Sequence, residues 1–332
     1  MTAAALDVVG IGNAIVDVIS QAEDSLLETE GLVKGTMALI DTERAEALYG
    51  AMGPGLEMSG GSAANTIAGL ASLGGMGAYI GKVRNDLLGE VFSHDIRASG
   101  VRFTTAPARD GKPTARCLIL VTPDGQRTMN TFLGACVDLG PGDIDPEFIA
   151  SAQVTYLEGY LFDPPQAKEA FRKAALIAHE AGRRVSLSLS DPFCVDRHRA
   201  EFRELVESHV DVLFANEAEL CSLYETHDFD AALAQVRGHC EIAALTRGEK
   251  GSVVVAANGD THRIPAEAVT RVTDTTGAGD LYASGFLYGL TRGRDLGACG
   301  RLGSLCAAEI ISHFGARPER PLKDLAAQAG LA

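Results

Sequence analysis

From about residue 150 the chain alternates short apolar runs with amphipathic stretches, and this rhythm restricts the fold more than any other feature. Residues 154–158, 185–189, 210–215 and 242–246 read as buried strands, with helices over 166–181 and 198–208. Further strands follow at 252–257 and 261–264. Such alternation predicts an α/β fold, a mostly parallel sheet covered by helices on both faces. Ligands of such sheets bind beyond the carboxyl ends of the strands. Asn216/Glu219, Thr246-Arg247-Gly248 and the Asp274–Asp280 stretch all follow predicted strands, so one rim can hold them.

The first half is less regular. Residues 6–12 read as an opening strand, but Gly10-Ile11-Gly12 lacks the third glycine and the helix of a dinucleotide fingerprint. What remains is a strand end presenting Asn13 and Asp17, suited to sugar hydroxyls or to satisfying their own turn. Residues 32–41 suggest a hairpin arm, followed by a helix to about Met52. Ser59-Gly60-Gly61-Ser62-Ala63-Ala64-Asn65 opens a second helix, with backbone donors at its start and Asn65 one turn in. A strand at 79–83 and a helix at 86–99 follow. Residues 101–135 form short alternating stretches around the turn Thr122-Pro123-Asp124-Gly125, a β-flap of the kind that closes over substrates.

Asp274-Thr275-Thr276-Gly277-Ala278-Gly279-Asp280 carries the most chemistry. Three residues with little or no side chain stand between two carboxylates where a helix begins. Gly277, Ala278 and Gly279 allow a sharp bend and a close ligand approach. Their amides and the positive end of the helix suit an anion. Asp280 then suits a hydroxyl that loses its proton while attacking that anion. A lone G-x-G-D would more often be a turn with a capping aspartate; a second Gly-rich helix start at 60–65 favours the functional reading. Asn216-x-x-Glu219 fits a capping box, a water-coordinated Mg²⁺, or both. The small residues of 297–314 predict a tightly packed helix. No Walker A string occurs, so a P-loop is excluded.

Composition narrows the class. A net charge of −15 argues against a nucleic-acid or anionic-membrane surface as the main partner. No stretch approaches the ~20 apolar residues of a membrane span, and residues 1–12 lack the pattern of a signal peptide. The odd number of cysteines, seven, with no C-x-x-C, predicts reduced thiols in a cytoplasmic protein. The histidines show no transition-metal spacing.

Taken together, Gly60-Gly61-Ser62-Ala63-Ala64-Asn65 and Asp274-Thr275-Thr276-Gly277-Ala278-Gly279-Asp280 resemble the two signatures of the ribokinase-like (pfkB) kinases, and the likeness runs nearly the whole length. It implies a single three-layer α/β/α domain over 1–332 with a β-sheet lid from roughly 15–40 and 101–135. It implies an ATP- and Mg²⁺-dependent phosphotransferase acting on a hydroxymethyl group of a small-molecule sugar or nucleoside, as a monomer or homodimer. By carry-over, Asp280 would be the base, and the amides of Gly277, Ala278 and Gly279 the anion hole. Asn13, Asp17, Gly61 and Asn65 would grip the sugar. Asn216 and Glu219 would act near Mg²⁺ and the phosphates, and Thr246, Gly248 and Gly251 would line the ATP site. Asp274 and Thr276 are where K⁺, used by many members, would bind. Gly12–Asp17, Tyr156–Phe162 and Asp274–Asp280 resemble the adenosine-kinase branch more than ribokinase proper, with ribose, fructose or a keto-deoxy sugar acid as alternative acceptors. A catalytically silent nucleoside-binding protein is the reading from another class, against which the retained Asp280 argues. Tyr160, Leu161 or Phe162 would then either stack on a purine or belong to the core.

Overall fold

A computed structural model describes residues 4–331 of the chain. Its strands are β1 (Leu6–Ile11), β2 (Ile15–Gln21), β3 (Met37–Leu39), β4 (Gly55–Gly60), β5 (Gly77–Ile80), β6 (Arg102–Phe103), β7 (Ala115–Val121), β8 (Arg127–Phe132), β9 (Ala152–Glu158), β10 (Arg184–Ser188), β11 (Val212–Asn216), β12 (Ile242–Thr246), β13 (Ser252–Ala256) and β14 (Thr261–Ile264). Nine form one sheet in the order β14-β13-β12-β11-β10-β9-β1-β5-β6. It is parallel from β12 to β6, and β13 and β14 extend it antiparallel.

The apolar runs of the central strands are explained by burial on both faces. Val9 and Ile11 of β1 join one core with Leu157, Leu187 and Leu213, while Val8 joins the other with Tyr156 and Phe214. The helices Pro165–Glu180 and Pro192–Ser208 cover the first face. Ser62–Ser72 and Ala278–Thr291 cover the second, with Leu296–Ile310 packed alongside. The small residues permit that last contact: a Cβ on Gly285 would lie 2.4 Å from the Leu302 carbonyl oxygen. The three layers match the fold expected from the sequence.

The remaining strands form a second sheet, β3-β8-β7-β2-β4. Its extent differs from the expected lid. Residues 102–103 belong to the large sheet, and β4, which no periodicity announced, completes the small one. β4 is glycine-ended and passes from exposed at Gly55 to buried at Gly60, so it lacks the alternation that marks a half-buried strand. β3 is not a hairpin arm: it pairs in parallel with β8, Met37 beside Met129. The expected helix over 297–314 stops at Ile310, and residues 311–320 turn back across the start of the Ser62–Ser72 helix.

Candidate active site

The strand order reverses between β1 and β9, since the chain builds outward from β1 through β5 and β6, then from β9 through β10 to β12. A crevice opens at such a switch point. Two polar strand ends meet there. Glu158 closes β9 and is buried; its Oε1 accepts from the Asn13 amide (3.2 Å) and from Asn13 Nδ2 (2.8 Å). Its Oε2 accepts from the Ala63 amide (2.7 Å). Burial pushes the carboxyl up to about 7 despite these donors. Glycine is required on both sides. A Cβ on Gly12 would lie 2.3 Å from Glu158 Oε2, and one on Gly61, whose φ is +94°, would lie 2.1 Å from the Asn13 carbonyl oxygen.

Asp280 stands over this floor in the first turn of Ala278–Thr291. Ser62 Oγ donates to its Oδ1 (2.6 Å) and Asn65 Nδ2 to its Oδ2 (3.0 Å), so the two glycine-rich helix starts converge on one carboxylate. Burial at the base of the cleft raises its pKa, against the two donors and the charge of Arg317. The residue keeps a partial opening to solvent. Asn65 Oδ1 is buried without a partner, an acceptor left unsatisfied beside Asp280. Gly277 caps the helix in the left-handed region at φ +80°. First-turn amides have no acceptor within a helix; that of Ala278 is shared with the Thr275 carbonyl (3.2 Å).

Two arginines complete the electrostatics. The Arg317 guanidinium donates to the carbonyls of Ser59 (3.1 and 3.2 Å) and Ala64 (2.7 Å) and to Ser59 Oγ (2.8 Å). Arg127, on β8, pairs with Asp274. Burial raises Asp17 to about 6, and Arg127 and Arg317 moderate the rise. Asp17 packs on Gly60, where a Cβ would lie 2.4 Å from its Oδ2. Glu158, Arg127 and Arg317 were not among the site residues expected from the sequence. A charge ending an otherwise buried parallel strand was the available signal for Glu158; the arginines had none, because their partners lie far away in the chain.

Along the rim, Asn216 and Glu219 form the capping box. Asn216 Oδ1 accepts from the Glu219 amide (2.9 Å), while the Asn216 amide (2.9 Å) and Nδ2 (2.6 Å) donate to Glu219. Burial raises Glu219 to about 7. Thr246 ends β12, and the turn after it places Gly248 and Gly251 at φ +57° and +81°. Arg247, between Thr246 and Gly248, pairs with Glu217 through two contacts of 3.0 Å and covers the Phe229 ring.

One expectation needs correcting. Phe162 is 2% exposed and stacks on Phe202 at 4.4 Å, so its ring is core and no purine reaches it. Leu161 is buried in the same core. Tyr160 is 37% exposed and feels the charges of Asp280 and Glu219, so it alone of the three borders the cleft.

Known proteins resemble the chain over most of its length. Residues 55–323 match the pfkB family carbohydrate kinase model. The solved structure of an adenosine kinase from Sinorhizobium meliloti is 55% identical, with a TM-score of 0.91 over 98% of this chain and 99% of that one. That of a probable sugar kinase from Rhizobium etli CFN 42 is 53% identical, with a TM-score of 0.93 over 99% and 100%. An adenosine kinase of Saccharomyces cerevisiae is 26% identical over 92% of this chain and 94% of its own length. The chain therefore belongs to the pfkB family of carbohydrate kinases and is a phosphotransferase with the ribokinase-like fold.

Proposed function

We propose that the chain transfers the terminal phosphoryl group of ATP to the 5′-hydroxyl of a nucleoside, adenosine first, and that the smaller sheet is the lid over that acceptor. The observation that carries the acceptor is the composition of one lid face. Residues paired across strands share a face, so Asp17 and Arg127 stand with Ile19, Met58, Leu56, Met129, Met37 and Leu39. Leu39 and Leu56 are 52% and 61% exposed there, while the opposite face, with Val16, Val18, Leu118 and Leu120, is buried in the core. An apolar face around a few polar groups suits a flat heterocycle attached to a sugar. A free sugar, the second reading favoured by the same polar floor, would leave that apolar face unfilled.

In this reading Asp17 and Asn65 hold ribose hydroxyls, and the orphaned Asn65 Oδ1 gains its donor. Glu158 holds Asn13 and the Ala63 amide in place beneath them. Asp280, its anion oriented by Ser62 and Asn65, accepts the proton of the attacking hydroxyl. The amides of Gly277 and Gly279, with that of Ala278, meet the charge that develops on the transferred group. Thr246, Gly248 and Gly251 border ATP. Mg²⁺ bound with ATP neutralises phosphate charge. Among the described residues no three His, Cys, Asp or Glu cluster to hold a metal. This suits an ion that takes its ligands mainly from phosphate and water. Glu219, whose oxygens already accept from Asn216, would act on it through water.

Initial rates with adenosine and with ribose for the wild type and for Leu39→Ser and Leu56→Ser test the acceptor. A rise of about tenfold in KM for adenosine supports it, because exposing or removing such apolar contacts is worth roughly 1–3 kcal/mol. An unchanged KM for adenosine would remove the lid face from recognition.

A further inference from the structure

Asp274 is one of the two positions that the family likeness reserves for K⁺, and its surroundings do not fit a cation. Its Oδ1 accepts from the Thr276 amide (3.0 Å). Its Oδ2 accepts from the Gly315 amide (3.1 Å) and faces the Arg127 guanidinium. The two side chains are 6% and 9% exposed, so this is a buried ion pair with amide donors on the acid. A monovalent cation needs oxygens with free lone pairs. Here Oδ2 already accepts from an amide and a guanidinium, and the lone pair left on Oδ1 stands beside that positive charge. A second unit charge about 4 Å from the guanidinium would lose on the order of a thousandfold in affinity at an effective dielectric near 20. The Arg127 charge also reaches Asp17, where it moderates the rise that burial causes.

We propose that the Arg127 guanidinium is the resident cation of the loop preceding Asp280, and that the enzyme consequently works without K⁺. The same pair clasps lid strand β8 to the loop that opens the Ala278–Thr291 helix. Arg127 thus acts as a positioning residue through Asp274. The inference rests on the phosphotransferase reading, but its test does not depend on turnover alone.

The wild type, dialysed into tetramethylammonium chloride, is titrated with KCl at constant ionic strength, following both the thermal midpoint and the initial rate with Mg-ATP and adenosine. The expected result is a rate within about 1.5-fold of its K⁺-free value and no K⁺-specific rise of the midpoint. A K⁺-specific rate increase of about threefold or more, or a K⁺-specific midpoint rise, would overturn the proposal. Arg127→Met should be slower and should gain a K⁺-specific midpoint rise, because the ion can then reach Asp274. Indifference of a folded Arg127→Met to K⁺ would count against Arg127 as the ion's substitute. If that variant does not fold, the wild-type titration decides. If adenosine is not turned over, the nucleoside reading fails while the midpoint still judges the cation.

Discussion

Glu158 offers the sharpest energetic test, because it is a carboxylate buried at the switch point with amide donors but no cation in contact. Its pKa stands at about 7 against an ordinary 4.5, a difference worth roughly 3 kcal/mol. Because the folded-state value lies above the unfolded one, the folded chain binds this proton more tightly. The carboxyl therefore favours folding most below pH about 4.5, and that contribution is lost as the pH rises through about 7. Glu158→Gln removes the titration. Its single oxygen can serve Asn13, but its amide then opposes the Ala63 N–H, at a cost of about 1–3 kcal/mol for an unsatisfied buried donor. The variant should be less stable than the wild type at pH 5 by this amount and should draw level toward pH 8. Urea unfolding of both proteins across that range is the assay. Asp17 and Glu219 are present in both proteins and cancel, so the difference reports Glu158 together with its coupling to Asp280. Parallel stability curves would refute the reasoning, since they would mean that Glu158 is not a buried, destabilised carboxylate.

Other consequences follow from the same contacts. Gly61→Ala places a Cβ against the Asn13 carbonyl at φ +94° and should cost about 2–4 kcal/mol in chemical denaturation, with KM for the acceptor raised. Phe162→Leu should cost about 1–2 kcal/mol of stability and leave that KM unchanged, which separates core from cleft. Arg317→Met removes the guanidinium donors to Ser59 and to the Ala64 carbonyl and should lower stability by about 1–3 kcal/mol. Because Arg317 lowers the pKa of Asp280, the acidic limb of the kcat/KM profile should also move to higher pH.

Much of the fold was legible because parallel strands buried on both faces leave short apolar runs at regular spacing, as 154–158 and 242–246 do. The convergence of Ser62, Asn65 and Asp280 could be anticipated from two glycine-rich helix starts, since each advertises its backbone donors locally. What stayed hidden is tertiary. β4 carries no alternation because its burial changes along the strand, from exposed to buried, and not from one face to the other. Arg127 reads as an ordinary residue of a turn-flanked strand until Asp274 arrives from 147 positions away. Arg317 lies just beyond the helix expected to end at 314, in the stretch that turns back, and nothing local marks its carbonyl partners. Phe162 and Tyr160 are neighbours of similar chemistry, and only the packing of Phe202 assigns one to the core.

The central claim is that Asp280 is the base of a nucleoside phosphotransferase. The most direct measurement is ADP release from Mg-ATP with adenosine, inosine, guanosine, ribose, fructose and 2-keto-3-deoxygluconate, comparing the wild type with Asp280→Asn. The account predicts turnover with adenosine and a loss of about 10²–10⁴-fold in the variant, with ATP binding retained. Turnover of Asp280→Asn within about tenfold of the wild type would remove Asp280 from the role of base, and turnover confined to a free sugar would overturn the choice of acceptor.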